Sequence, residues 1–189
     1  MSKPLILASK SPRRKELLEK LQVPFSILTC EVDEFIPAEF TPQAAVLFLA
    51  QKKANVISQQ FPQSIVIGAD TIVVSEQNIL GKPKNADDAY HMLKALSGKT
   101  HDVLTGVSIQ SKQKEVHFFE KTMVTFWELS DEEIHRYIRS GEPFDKAGSY
   151  GIQGLGAVFV KSIQGDYYTV VGLPISKVYH ELKEFNVIS

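Results

Sequence analysis

Residues 64–75 read Ser-Ile-Val-Ile-Gly-Ala-Asp-Thr-Ile-Val-Val-Ser. Isoleucine and valine on both sides of Gly68-Ala69-Asp70 make the segment β-rich throughout, yet its centre holds an aspartate, which strands disfavour. Two readings are open. Either Asp70 stands at a turn near Gly68, or it is aimed into a site as general base or metal ligand. Open α/β sheets place such sites at strand ends. In the second reading Thr71 sits beside it.

The rest of the chain alternates strand and helix signals. Residues 5–8 form a short apolar run that reads as a buried strand. Ser11-Pro12 then opens a helix, with serine as N-cap and proline at the first helical position. Leu17, Leu18 and Leu21 give that helix its core face. A second strand is expected over 25–29. Thr41-Pro42 repeats the capping device and opens a helix to about Ser58. Asn85 caps a helix through Leu96. Two long strands are expected over 100–109 and 115–127, joined by a polar turn. Ser130 to Glu133 form a capping box whose helix ends at Gly141. Residues 157–163 and 167–171 predict a hairpin around Gly165-Asp166, and Pro174 leads into a last helix over 175–185. This mixture makes the chain α/β with a mixed sheet. Its 189 residues suit one domain, or one domain with two lobes around a cleft.

Charge narrows the function. The 21 basic residues are balanced by 22 acidic ones, for a net charge of −1. That balance excludes a whole-surface nucleic-acid binder and a polybasic membrane binder, but not one concentrated charged pocket. Cys30 is the single cysteine, so neither an intramolecular disulfide nor a multi-cysteine zinc site can form, as suits a reducing compartment. The apolar run after Met1 is too short for a signal-peptide core, and no run approaches the ~18 residues of a membrane span. A cytoplasmic protein is expected.

Several positions carry candidate chemistry. Ser9-Lys-Ser-Pro-Arg13-Arg14 follows a strand and opens a helix, where backbone amides and the helix dipole favour anions. Two of the chain's four arginines lie there, able to hold phosphate by bidentate bonds. The plain alternative is a capped surface helix with a solvated basic turn. Glu31, Asp33 and Glu34 are hard oxygen donors suited to Mg²⁺ or Mn²⁺, or simply a solvated acidic loop. Lys53 falls within the apolar stripe of Val46, Ala50 and Ile57, so it either snorkels to the edge or reaches into an anionic site. Lys82 is held between Gly81 and Pro83 in an extended backbone. Residues 148–156 hold four of the chain's eleven glycines. Gln153, between Gly151 and Gly154, offers an amide donor and acceptor fit to read a base edge.

Leu-Ala-Ser-Lys-Ser-Pro-Arg-Arg at 7–14, Gly-Ala-Asp-Thr at 68–71, Gly-Lys-Pro at 81–83, Leu-Ser-Gly at 96–98, Asp-Lys-Ala-Gly-Ser-Tyr-Gly-Ile-Gln-Gly at 145–154, Gly-Asp-Tyr-Tyr at 165–168 and Val-Gly-Leu-Pro at 171–174 occur in one order. With them the chain resembles the Maf proteins almost end to end, and is similar to the Bacillus type linked to septum formation. The resemblance implies a single domain over 1–189 of the Maf/inosine-triphosphatase-like α/β fold. That fold is an elongated mixed β-sheet with flanking helices, two lobes around a cleft, in a homodimer. It implies a nucleoside triphosphate pyrophosphatase of the subgroup hydrolysing dTTP and UTP, with a house-cleaning or division-related role. Positions matching Arg13, Thr71 and Gln153 are there associated with base preference, and the position matching Asp70 with proton acceptance. Positions matching Ser9, Arg14, Glu34, Lys53 and Lys82 line the cleft. Mg²⁺ or Mn²⁺ held by Glu34 and Asp70 is expected, with a nucleoside triphosphate as partner and neither stable nucleic-acid nor membrane binding. The competing expectation is a non-catalytic nucleotide-binding regulator of cell division.

Overall fold

The structure is a computed structural model that describes residues 3–29 and 31–188. Cys30 lies outside the described residues. The elements are β1 (Leu5–Ala8), α1 (Pro12–Glu19), β2 (Phe25–Leu28), α2 (Pro42–Gln60), β3 (Ile65–Ser75), β4 (Asn78–Leu80), α3 (Ala86–Leu96), β5 (Thr100–Gln110), β6 (Glu115–Phe126), α4 (Asp131–Arg139), β7 (Val160–Gln164), α5 (Tyr167–Val171) and α6 (Ile175–Glu184). Seven strands form one mixed sheet of order β2-β1-β3-β5-β6-β7, with β4 beside β3. β1 pairs in parallel with both β2 and β3, while the β3–β4 and β6–β7 pairs are antiparallel. Among the described residues no helix is long and apolar enough to cross a membrane.

Local sequence chemistry sets the helix starts. Ser11, Thr41, Asn85 and Ser130 each accept a hydrogen bond from a backbone amide three residues on, and the Ser130–Glu133 box closes in both directions. One expected element is corrected. Residues 160–164 form β7, which pairs with β6 (Met123 opposite Gln164), but residues 167–171 are the helix α5 and form no hairpin with it. The reason lies in Asp166, whose Oδ2 accepts from the Thr169 amide at 2.7 Å and the Thr169 hydroxyl at 2.9 Å. That is helix-capping chemistry, and it turns the chain away from an extended path. A further short strand, β4, follows Glu76 and Gln77, which both take left-handed backbone angles in a tight turn.

The chain forms two compact units. The first runs up to Asp70 and adds Thr105–Glu120 and the segment from Gly172 onward; the second comprises Thr71–Leu104 and Lys121–Val171. In the first unit α2 packs on the sheet through Ala54 and Ile57, against Ile6, Ala8 and Val66. Backbones approach closely here. A Cβ on Gly68 would lie 2.4 Å from the Ala50 carbonyl oxygen, and one on Gly106 would lie 2.5 Å from that of Val46. In the second unit Phe126, Tyr150, Phe159, Tyr137, Leu93 and Ile134 belong to one apolar core. His101 is buried there, edge-on to Phe126, with Nε2 2.8 Å from the Tyr150 hydroxyl.

Gly68→Ala is expected to lower stability by about 3 kcal/mol, because a methyl group collides with backbone that cannot swing aside; urea unfolding measures it. Burial pushes the His101 pKa down to about 4, against a smaller opposing pull from Asp102. The unfolded chain therefore binds the extra proton first, and stability falls as pH drops from about 6.5 towards 4. The loss attributable to this group is ~3 kcal/mol. In His101→Phe, melting temperatures across that window should depend less on pH.

Candidate active site

Strands β1 and β3 run in register, Leu5 beside Ile65 and Ala8 beside Gly68. Ser9 and the turn into α1 follow directly after β1, and Asp70 stands two residues beyond Gly68. Both features emerge at the carboxyl end of the parallel strands, where α/β sheets bind ligands. Asp70 is within β3 and not at a turn, with 9% of its surface exposed. The reading of Asp70 as a turn residue is thereby excluded.

The partner of Asp70 comes from α2. The close packing at Gly68 sets the helix against the strand, and Lys53, one residue before the buried Ala54, extends its ammonium to the Asp70 carboxylate. The same ammonium lies 2.8 Å from Glu34 Oε1. The Lys53 side chain is 15% exposed, so it is drawn inward and does not snorkel to solvent. Two carboxylates thus converge on one cation. Among the described residues no group of three or more histidine, cysteine, aspartate or glutamate side chains forms a metal cage. A pair of carboxylates is still the set by which Mg²⁺ is commonly held, with water and phosphate oxygens completing the shell. Glu34 and Asp70 therefore fit a divalent ion bound together with a phosphorylated substrate. Asp33 is engaged elsewhere: its carbonyl accepts from Lys52 Nζ at 2.6 Å, and its carboxylate accepts from the Phe35 amide. Glu31 meets Lys10 in an exposed pair at 3.7 Å.

Arg14 joins the cluster from α1. Its Nε donates to the Gly172 carbonyl at 2.8 Å, and its Nη1 to Ser9 Oγ at 3.4 Å. Ser9 Oγ also accepts from the Ser11 amide at 3.2 Å, which stiffens the turn. Burial lowers the pKa of the Arg14 guanidinium from its ordinary value. The negative charges of Asp70 and Glu34 oppose that shift, while Arg13 adds to it. Even lowered, an arginine stays cationic near neutral pH. The first unit therefore gathers Ser9, Arg13, Arg14, Glu34, Lys53 and Asp70, which are separated by up to 61 residues in sequence.

Thr71, Lys82 and Gln153 belong to the second unit. Thr71 is half-buried in β3; Lys82 and Gln153 are exposed. The Lys82 backbone is anchored by the Gly148 amide, which donates to the Gly81 carbonyl at 3.0 Å. The loop bearing Gln153 is fixed by residues that no pattern in the sequence singles out. Glu142 Oε2 accepts from the Leu155 amide at 2.8 Å, and Oε1 from the Gly156 amide at 3.3 Å and the Tyr137 hydroxyl at 2.9 Å. The Tyr137 oxygen in turn accepts from the Gly151 amide at 3.2 Å. Burial raises the Glu142 carboxyl pKa, but the three donors outweigh it and hold the group below its ordinary value. The glycines answer to this brace. A Cβ on Gly154 would lie 2.4 Å from Glu142 Oε2, and one on Gly151 would lie 2.6 Å from Lys146 Cε.

A family model described as Maf-like protein matches residues 4–185. A dTTP/UTP pyrophosphatase of Bacillus cereus is 58% identical over 183 residues, covering 97% of this chain and 96% of that protein. A dTTP/UTP pyrophosphatase of Bacillus cytotoxicus is also 58% identical, over 184 residues, with the same coverage of each chain. Among solved structures, a HAM1 protein from Coxiella burnetii superposes with a TM-score of 0.51 at 12% identity, covering 97% of this chain and all of that one. This last likeness concerns the fold alone.

Lys53→Met leaves two carboxylates without their shared cation. Stability should fall by about 2 kcal/mol, less than for a fully buried pair because Glu34 is half open to water. Adding Asp70→Asn should recover part of that loss, and a double-mutant cycle in urea measures the coupling.

Proposed function

The chain belongs to the Maf family, and from that membership we propose that it is a nucleoside triphosphate pyrophosphatase acting on dTTP and UTP. The observation that carries the reading is the Asp70–Lys53–Glu34 cluster with Arg14 at the carboxyl end of the parallel strands. The names of the Bacillus relatives supply the substrates.

The reaction is NTP plus water giving NMP plus pyrophosphate. A bond forms between the water oxygen and the α-phosphorus, and the bond from that phosphorus to the bridging oxygen of the β-phosphate breaks. Pyrophosphate leaves with the bond electrons. Asp70 orients the water and takes its proton. Arg13, Arg14, Lys53 and Lys82 bear on the charge of the triphosphate and fix its pose, so that attack proceeds from a prepared geometry. Ser9 holds the turn and Arg14 in place. Glu34 and Asp70 are the residues that would hold Mg²⁺ or Mn²⁺, which supplies polarisation of phosphoryl oxygens and a more acidic water. Lys53 bridges the same two carboxylates and holds them near each other. Thr71 and Gln153, with Arg13, are assigned to recognition of the base. Gln153 brings an amide that can donate and accept at once, matching the adjacent N–H and C=O of thymine and uracil.

The homodimer, the cytoplasmic setting and a role linked to septum formation belong to the same proposal and rest on family membership alone. So does treatment of residues 1–189 as one functional domain.

The deciding experiment is a panel of nucleoside triphosphates incubated with the purified protein and Mg²⁺, with pyrophosphate as the readout. dTTP and UTP should lead the panel. Asp70→Asn should reduce turnover by about 10²–10⁴-fold; near-wild-type turnover would remove Asp70 from the reaction. Triphosphate binding without any pyrophosphate formation would favour the regulator instead. Lys82→Ala should weaken binding of triphosphate much more than of monophosphate, measured by calorimetry. Equal losses would mean that Lys82 does not contact the outer phosphates.

A further inference from the structure

Resting on the assignment of Gln153 to base recognition, we propose that Glu142 is a positioning residue for substrate specificity. With Tyr137 it clamps the backbone of residues 151–156 so that the Gln153 amide is presented in one orientation. The geometry is specific. Three amides of this short segment, those of Gly151, Leu155 and Gly156, end on two side chains that stand outside it. They flank Gln153 on both sides in sequence, so the segment is held at each end and its middle is left exposed.

The two side chains are themselves well anchored. Tyr137 is 4% exposed and packs edge-to-face on Phe159 with ring centroids 5.0 Å apart, so its hydroxyl is delivered from the core. Glu142 begins a short 3-10 turn, and its own carbonyl accepts from Lys146 Nζ at 2.7 Å. The three amides find their acceptors in side chains and not in backbone of the loop itself. What the clamp adds is direction. An exposed amide side chain on an unsecured loop samples many poses and loses discrimination between bases that differ by one donor and one acceptor. Thymine and cytosine are such a pair, alike in size and opposite in hydrogen-bonding sense at the 3 and 4 positions.

The test is the ratio of kcat/KM for dTTP to that for dCTP, measured for the unaltered protein, Glu142→Gln, Tyr137→Phe and Gln153→Ala. Glutamine at 142 keeps the volume but cannot accept on both sides, because one terminal atom becomes an NH₂ group. Phenylalanine at 137 keeps the ring in the core and removes only the hydroxyl, so this variant folds even if the other does not. Each should lower the ratio by about tenfold and speed amide exchange at a clamped position, Leu155 or Gly156 for Glu142→Gln and Gly151 for Tyr137→Phe. Placed on top of Gln153→Ala, Glu142→Gln should change the ratio less than twofold, since both act through one amide. Equal losses for both substrates, with an unchanged ratio, would reduce Glu142 to a structural residue and overturn the inference while leaving Gln153 in its role. If Gln153→Ala itself leaves the ratio unchanged, the base-reading assignment fails and the role of Glu142 falls with it.

Discussion

Helix α2 lies on the sheet at backbone-to-backbone distance. Positions 68 and 106 carry no side chain, and there is no room for one: the Ala50 and Val46 carbonyl oxygens occupy the space. Dispersion and burial over the Ala54, Ile57 and Val66 contacts then hold the helix where it is. Much else depends on this approach. Lys53 is carried by the same helical turn, and its reach to Asp70 is set by how closely the helix can settle. A helix lifted by the width of a methyl group would draw Lys53 back from the two carboxylates it bridges. The electrostatics of the site are thus a consequence of packing, and the packing is a consequence of two hydrogen atoms where a Cβ would otherwise be.

The basic residues of the cluster also bond to the protein itself. Arg14 directs Nε to the Gly172 carbonyl and a terminal nitrogen to Ser9, which leaves the guanidinium fixed in a surround that disfavours its charge. That cost is offset locally by Asp70 and Glu34. It also gives a reason for the Val-Gly-Leu-Pro segment at 171–174: Gly172 takes a backbone angle open mainly to glycine, and its carbonyl is the one Arg14 meets. A motif that reads as a mere lead into α6 is a fixture of the charged cluster.

How far the sequence alone reached depends on the range of the forces at work. Helix starts were legible because capping is local: Ser11, Thr41, Asn85 and Ser130 each bond an amide three residues away. Lys53 was legible as an oddity because helical spacing places it among apolar neighbours. The partners it finds, 17 and 19 residues away, were named individually but could be assembled only through the family resemblance. The supposed hairpin over 157–171 failed because β7 takes its partner from β6, some forty residues earlier, while Asp166 caps a helix. Glu142 left no trace. Its amide donors lie in an aperiodic loop up to 14 residues on, and a glutamate before a proline looks solvated in any sequence.

The contact between Glu142 and Gly154 also bears on how this chain can change over time. The carboxylate fills the volume that a side chain at 154 would need. The two positions are coupled: an alanine at 154 displaces the Glu142 carboxylate, and a shorter residue at 142 gives up its bonds to the Leu155 and Gly156 amides. A change at either position is therefore felt at the other. A loop that looks permissive for its many glycines is thus constrained by two side chains outside it.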